Sequence, residues 1–182
     1  MSKKFLILTG DAGESYEVLY GLHRFQEAGY EAHIVAPSKR DLNLVMHDFK
    51  PGWDTYYEGA GYSAASDLTF EEVVVDDYYA VLLIGGRAPE YLRHNPLVIQ
   101  IVQDFNSKGK WIYSICHGIQ ILVTAGLCKD RNVTCYENCR YEAESAGATW
   151  IAEEAVIEGN IISGQTWISH PQFYRLIFKN LT

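Results

Sequence analysis

A cysteine lies between a predicted strand and a predicted helix, and it is the residue best placed for covalent chemistry. The stretch Trp111 to Ile115 is β-branched and aromatic, as strands are, and Cys116-His117-Gly118 follows it directly. Apolar residues then recur at helical spacing from Ile119. Backbone N–H groups at a helix N-terminus favour a thiolate, so we expect a lowered pKa and a nucleophilic sulfur at Cys116. The alternative is a small buried apolar residue, the usual state of a free cysteine.

Two other loops that follow predicted strands carry groups able to assist such a nucleophile. The loop after the first strand contains the carboxylate Glu14, and a later strand ends at Gly85-Gly86, where flexible backbone can present N–H groups. Ligands of parallel sheets bind outside the carboxyl ends of the strands, so we expect these loops to meet near Cys116. Glu14 alone is equally well explained as a first-turn helix residue, and His117 alone as a solvated histidine. The coincidence of three loops favours a nucleophile, a proton-transfer group and an oxyanion hole.

The elements that must position these groups alternate along the chain. Near-continuous apolar or β-branched runs predict strands at residues 4–9, 31–36, 79–84, 111–115, 132–136, 149–151, 155–158 and 160–163. Helical spacing predicts helices at about 15–28, 96–108, 119–123, 137–146 and 171–180, and Pro89 suits the first turn of a further short helix. The first strand, helix and strand form a βαβ unit with parallel strands. The fold class is therefore α/β, with a mostly parallel sheet covered by helices on both faces.

Residues 39–77 interrupt this alternation. The segment is rich in Asp, Tyr, Gly and Trp and has no sustained period, so it predicts loops and short strands. His47-Asp48-Phe49 and Tyr56-Tyr57-Glu58 offer polar groups that suit a pocket wall. We expect both tripeptides to be solvated loop instead, because polar connections usually run over the surface.

Composition narrows the class of protein. A chain of 182 residues that is 48% hydrophobic, with no composition shift, predicts one domain over residues 1–182. The net charge of −8 argues against nucleic acid or an anionic membrane as a partner. No apolar run approaches a transmembrane or signal segment, so we expect a cytoplasmic protein. Its cysteines should be reduced thiols, and Cys135 and Cys139 lack the further ligands of a zinc site, so we expect no metal.

Three motifs of this sequence closely resemble the ThiJ/PfpI (DJ-1/PfpI) superfamily, and in particular PfpI-type proteins and plant glutathione-independent glyoxalases. They are Gly85-Gly86-Arg87-Ala88-Pro89-Glu90-Tyr91-Leu92, Ile115-Cys116-His117-Gly118, and Glu14 after the first strand. The resemblance spans nearly the whole chain. It implies a flavodoxin-like (class I glutamine amidotransferase-like) sandwich with a cysteine nucleophile elbow. It also implies that Cys116 is the nucleophile, that Glu14 hydrogen-bonds to it beside His117, and that Glu90 comes from a neighbouring subunit of a homo-oligomer, a dimer or a hexamer.

Three functions compete on this scaffold. The first is a cofactor-independent glyoxalase that acts on a small carbonyl substrate such as methylglyoxal. Cys116 would form a hemithioacetal, Glu14 would move the proton, and the Gly86 and His117 N–H groups, with Gly85 beside them, would hold the oxyanion. The second is a redox-sensing or chaperone-like protein that needs only an oxidisable Cys116 stabilised by Glu14. The third is a peptidase, which we rank last because adjacent side chains rarely face one another, making His117 an awkward base for Cys116.

Overall fold

Eleven strands and six helices lie in residues 3–181, the part of the chain that the computed structural model describes. The strands are β1 (Lys4–Leu8), β2 (Glu31–Ala36), β3 (Asp41–Asp48), β4 (Tyr57–Ala65), β5 (Leu68–Thr69), β6 (Ala80–Leu83), β7 (Trp111–Ile115), β8 (Asn132–Val133), β9 (Thr149–Trp150), β10 (Ala155–Glu158) and β11 (Ile161–Gly164). The helices are α1 (Ser15–Glu27), α2 (Ala88–Leu92), α3 (Pro96–Ser107), α4 (Ile119–Thr124), α5 (Arg140–Ser145) and α6 (His170–Lys179).

A seven-stranded sheet forms the centre, in the order β10-β11-β7-β6-β1-β2-β5. Every neighbouring pair is parallel except β10 and β11, which form an antiparallel hairpin at one edge. The central strands are apolar on both faces because helices cover both, and all four residues of β6 are buried. The prediction of an α/β fold with a mostly parallel, covered sheet is confirmed.

Helix α1 holds the loop after β1 against the carboxyl edge of the sheet. Its Val18 and Phe25 are fully buried, and the Phe25 ring stacks on Phe5 of β1 with ring centroids 4.0 Å apart. Such a stacked pair stabilises the fold by roughly 0.5–1.5 kcal/mol beyond its area burial. The helix ends at Glu27 with Ala28 as its C-cap, and Gly29 follows with φ +82°, a conformation that glycine adopts without strain. The first turn of α1 is therefore held firmly beside the ends of β1 and β6.

The prediction of loops and short strands for residues 39–77 is wrong in its largest part. Strands β3 and β4 are eight and nine residues long and form a separate antiparallel hairpin. Leu42 and Leu44 are buried while Asp41 and Asn43 are exposed, a period of two that the surrounding Gly, Asp and Tyr residues obscure. A bridge between Glu14 and Val45 joins the hairpin to the start of α1. The hairpin therefore packs over the carboxyl edge of the sheet, where the predicted site lies.

Two structural findings bear on partners. None of the helices within residues 3–181 is long and apolar enough to cross a membrane. Over the same residues, no three histidine, cysteine or carboxylate side chains come together as a metal-binding group.

Candidate active site

Cys116 occupies a strained turn at the end of β7. Its φ is +56°, a left-handed conformation that costs a non-glycine residue about 1–3 kcal/mol and is concentrated at functional sites. A 3-10 turn runs from Cys116 to Gly118, and α4 follows it directly. Gly118 packs so closely on β6 that a Cβ there would lie 2.5 Å from the Leu83 carbonyl oxygen. The predicted strand, turn and helix are confirmed, and the geometry is that of a nucleophile elbow.

The His117 side chain faces the sulfur of its neighbour. Its Nδ1 lies 3.3 Å from Cys116 Sγ, and the His117 backbone N–H also hydrogen-bonds to that sulfur. The expectation that these adjacent side chains point apart is wrong, because the left-handed turn at Cys116 rotates them together. Burial lowers the pKa of His117 to about 4, so the ring is neutral near pH 7. A neutral imidazole beside a thiol can accept its proton.

Glu17 is the carboxylate in contact with Cys116. It is fully buried in the first turn of α1, and its Oε2 accepts a hydrogen bond from the Gly85 N–H at 2.7 Å. Burial, and then repulsion from Glu14, raise the pKa of Glu17 well above its usual value, while its hydrogen bonds to Gly85 and Cys116 lower that pKa. Its Oε1 has no hydrogen-bond partner within residues 3–181. Glu17 and Cys116 thus form a buried pair that resists carrying two negative charges at once.

Glu14 has a different place from the one expected. Its Oε2 accepts a hydrogen bond from the Glu17 N–H at 2.7 Å, and its Oε1 accepts one from the His47 N–H at 3.4 Å. The predicted hydrogen bond to Cys116 is wrong, because Glu14 is the extended residue before α1 and its side chain folds over the helix N-terminus. Glu17 lies one turn later on the same face of the helix. That spacing of three residues is the signal that would have found Glu17.

The Cys116 thiol is harder to ionise than the sequence suggests. Burial raises the pKa of Cys116 well above its usual value, and the charge of Glu17 raises it further. The predicted lowering of this pKa is wrong because burial, the largest effect, and two nearby carboxylates outweigh the three-residue 3-10 turn that follows the sulfur. The resting form is therefore a thiol, and a proton acceptor must act as the sulfur attacks. The remaining cysteines, Cys128, Cys135 and Cys139, are also buried and free.

Gly85 and Gly86, which follow β6, have different roles in the site. The Gly85 N–H is occupied by Glu17, so the part of the oxyanion hole predicted for Gly85 is wrong. Glycine is needed there because a Cβ would lie 2.6 Å from Cys116 Cβ. Gly86 has φ +74°, and a Cβ there would lie 2.3 Å from the Ala12 carbonyl oxygen. The Gly86 N–H donates to no other described residue, so it remains available for a substrate oxygen.

Aromatic rings from the β3–β4 hairpin and from nearby residues form one wall of the site. The His47 ring stacks on Tyr56 with centroids 4.0 Å apart, and the Tyr136 ring lies 5.2 Å from that of His117. His47 is buried and Tyr56 is half-buried, so the expectation of solvated loop is wrong for both. Reasoning on connecting segments failed because these residues belong to a paired hairpin. On the outer side, Tyr136 lines a surface cleft of about 330 Å³ that leads up to this wall.

A carboxylate and an arginine complete the rim of the site. Glu58 Oε2 lies 3.0 Å from His47 Nε2, and Arg87 Nε lies 2.8 and 3.0 Å from the two Glu58 oxygens. Glu90, predicted to serve a neighbouring subunit, is exposed in the first turn of α2. Its carboxylate forms no hydrogen bond with any residue from 3 to 181, and its charge acts on Tyr56, Arg87 and Cys139.

The sheet and the site together define a class: flavodoxin-like proteins in which a cysteine at a strand-to-helix turn lies between a buried glutamate and a histidine. The sequence model of the DJ-1/PfpI family matches residues 3–180. The chain belongs to the DJ-1/PfpI family.

Individual relatives agree with this assignment. The chain is 38% identical to a protein named Deglycase PfpI from Pyrococcus furiosus, covering 89% of both chains. It is 36% identical to Protein DJ-1 homolog D from Arabidopsis thaliana over 99% of this chain, and spans about half (48%) of that longer protein. Among solved structures, a two-domain protein from Anabaena variabilis with DJ-1/ThiJ/PfpI-like and ferritin-like domains superposes with a TM-score of 0.87 at 26% identity, covering 99% of this chain and 48% of that one. Schizosaccharomyces pombe DJ-1 shares the fold, with a TM-score of 0.81 at 20% identity, covering 98% of this chain and 92% of that one.

Proposed function

We propose that this protein is a cofactor-independent glyoxalase-type enzyme that converts methylglyoxal, or a related 2-oxoaldehyde, to a 2-hydroxy acid. The observation that carries the proposal is the placement of Cys116 Sγ between the buried Glu17 carboxyl group and His117 Nδ1. This arrangement suits a reaction that first needs a nucleophile and then needs a proton moved between adjacent carbons. The names of the relatives, which include deglycases, support an enzymatic role of this type.

The residues present can take each step in turn. Sγ forms a bond to the aldehyde carbon while its proton passes to Glu17 and on to the carbonyl oxygen, which gives a hemithioacetal. Glu17 then takes the proton from that carbon, which gives an enediolate with its negative charge on the second oxygen. Glu17 returns this proton to the second carbon while the hydroxyl group on the first carbon passes its proton to the second oxygen, and a 2-hydroxyacyl thioester results. Water cleaves the thioester, which restores the thiol. The Gly86 N–H stabilises the oxyanion, whereas the His117 N–H is already hydrogen-bonded to Cys116 Sγ.

Burial of the nucleophile favours a small substrate over a polypeptide. Cys116 is 2% exposed and His117 is 7% exposed, so an extended peptide backbone cannot reach the sulfur without displacing the aromatic wall. The contact between His117 and Cys116 removes our geometric objection to a peptidase, but it does not provide this access. A redox sensor stays the second candidate, because the high pKa of Glu17 suits a carboxyl group that donates a hydrogen bond to an oxidised sulfur.

The first test is turnover by the unmodified protein. Without glutathione and with a metal chelator present, we expect it to consume methylglyoxal and form 2-hydroxypropanoate, identified by NMR, at a rate above that of heat-unfolded protein. The reason is that Cys116 and Glu17 supply the thiol and the base that glutathione and a metal provide elsewhere. A rate equal to the heat-unfolded control, together with a sulfinate on Cys116 after mild peroxide, would favour the sensor instead.

We propose in addition that a homo-oligomer completes the site, with Glu90 of one subunit reaching His117 of the neighbouring subunit. The support is that Glu90 is exposed and unpaired among the described residues, at a helix beside the site. A carboxylate near His117 would favour the protonated imidazole. We expect light scattering to show an oligomer, and Glu90→Ala to reduce kcat about tenfold while Glu71→Ala, another exposed carboxylate, leaves it unchanged. A monomer with full activity would rule this arrangement out.

A further inference from the structure

His47 is a buried histidine with one ring nitrogen that nothing in the proposed reaction uses. Its side chain is 0% exposed, and its Nε2 lies 3.0 Å from Glu58 Oε2. The other nitrogen, Nδ1, is buried without a hydrogen-bond partner in the described part of the chain. A buried polar atom left unpaired is costly, so native structures usually explain it by a role in function.

The partners of His47 decide which nitrogen carries the proton. Arg87 holds the pKa of Glu58 below its usual value, so Glu58 is a carboxylate and can only accept hydrogen bonds. His47 Nε2 must therefore be the protonated nitrogen in the bond to Glu58. Burial lowers the pKa of His47, which keeps the ring neutral. In a neutral ring with hydrogen on Nε2, Nδ1 presents a lone pair and acts as an acceptor.

This acceptor belongs to the wall of the Cys116 site. The His47 ring lies 6.4 Å from the His117 ring, between centroids, and Tyr56 packs against both rings at 4.0 and 5.7 Å. The His47 backbone N–H donates to Glu14 Oε1, which fixes the strand next to the first turn of α1. The charged or titratable groups near the His47 ring among the described residues include Glu14, Tyr56, Glu58, Arg87 and His117.

We propose that His47 is a substrate-binding residue whose Nδ1 accepts a hydrogen bond from the hydroxyl group of the Cys116 hemithioacetal, and that Glu58 with Arg87 is the positioning pair that keeps Nδ1 an acceptor. This inference rests on the proposed function. The free aldehyde has no hydroxyl hydrogen, so the bond forms only after Sγ has added to the carbonyl carbon. The same hydroxyl must lose its proton when the thioester forms, and an acceptor beside it favours that step. Interactions made only after addition raise kcat more than they lower KM.

The test changes the tautomer while keeping the ring. In Glu58→Gln the amide can donate to Nε2, which moves the ring proton to Nδ1 and converts the acceptor to a donor. We expect kcat for methylglyoxal to fall about 10- to 100-fold with KM within about threefold, and the ¹⁵N shifts of His47 to report the exchange of tautomers. His47→Phe, which keeps the stacking on Tyr56, should lose kcat to a similar extent. Glu72→Gln, which breaks an exposed carboxylate pair with Lys39, is the matched control and should change neither constant.

The outcomes separate this inference from the function on which it rests. If the wild type turns over methylglyoxal and both Glu58→Gln and His47→Phe keep kcat within twofold of the wild-type value, the role of His47 is overturned and the glyoxalase proposal stands. A wild-type ¹⁵N spectrum with the proton on Nδ1 would overturn it as well. No turnover by the wild type would overturn the proposed function and the His47 role with it.

Discussion

Replacing Glu17 by Gln should reduce kcat for methylglyoxal by about 10²–10⁴-fold, the usual contribution of a general acid–base group, and replacing Cys116 by Ala should remove turnover. Gln has the shape of Glu and can still accept the Gly85 N–H bond, so the fold should be kept. It cannot take a proton from the thiol or from carbon. Stopped assays of 2-hydroxypropanoate, with circular dichroism to check the fold, measure both effects.

Glu14→Gln is the matched control, because the two carboxylates are three residues apart on one helix turn. Gln retains a carbonyl oxygen that can cap α1, so kcat should fall less than about tenfold. The charge of Glu14 raises the pKa of Glu17, and removing that charge should lower it. The acidic limb of kcat/KM should therefore move to lower pH. Equal losses in the two variants, or Glu17→Gln with more than a tenth of wild-type kcat, would contradict the assignment of Glu17 as the base.

The position of Cys116 was predictable from sequence because backbone pattern fixes it. Trp111 to Ile115 is a β-branched and aromatic run typical of a strand, and Gly118 follows where the turn packs on β6 too closely for a Cβ. The two strands β1 and β6 are predictable for the same reason, since both are continuous apolar runs. Local pattern thus gives the sheet and the three loops at its carboxyl edge.

The chemistry of the site was less predictable because it depends on which side chains are buried and on where they point. The spacing of three residues from Glu14 places Glu17 on the same face of α1, but that spacing does not show that the loop after β6 buries this face. The pKa of Cys116 is decided by that burial and by carboxylates brought in from α1, which outweigh a short helical turn. His47 depends on the pairing of β3 with β4, a long-range contact that composition obscures. Each of these features arises from tertiary packing, so the periodicity of the sequence does not predict it.

His170 provides the second large prediction, because it is a titratable residue buried in a cage of aromatic rings. It is 2% exposed, and neither of its ring nitrogens has a partner within residues 3–181. Tyr20 stacks on it with centroids 4.5 Å apart, and Tyr16 and Tyr174 pack edge-on at 5.0 and 5.6 Å. Burial lowers the pKa of His170 to about 4. The folded protein thus resists a proton that the unfolded chain accepts near its ordinary pKa of about 6.5.

Acidification should therefore destabilise the protein through His170. The stabilisation is fully present above pH 6.5 and is lost as the pH falls toward 4, by up to about 3 kcal/mol for this one group. The lowered pKa of His117 also destabilises the fold at acidic pH, whereas the raised pKa values of Glu14 and Glu17 stabilise it there. The pH dependence of the wild-type free energy of unfolding is therefore the sum of these contributions. The variant His170→Phe isolates the contribution of His170. In urea unfolding from pH 7.5 to 4.5, the free energy of unfolding of this variant should rise relative to that of the wild type as the pH falls. Exposed His23→Gln should follow the wild type, and a His170→Phe curve parallel to the wild type would show that His170 is protonated within the fold.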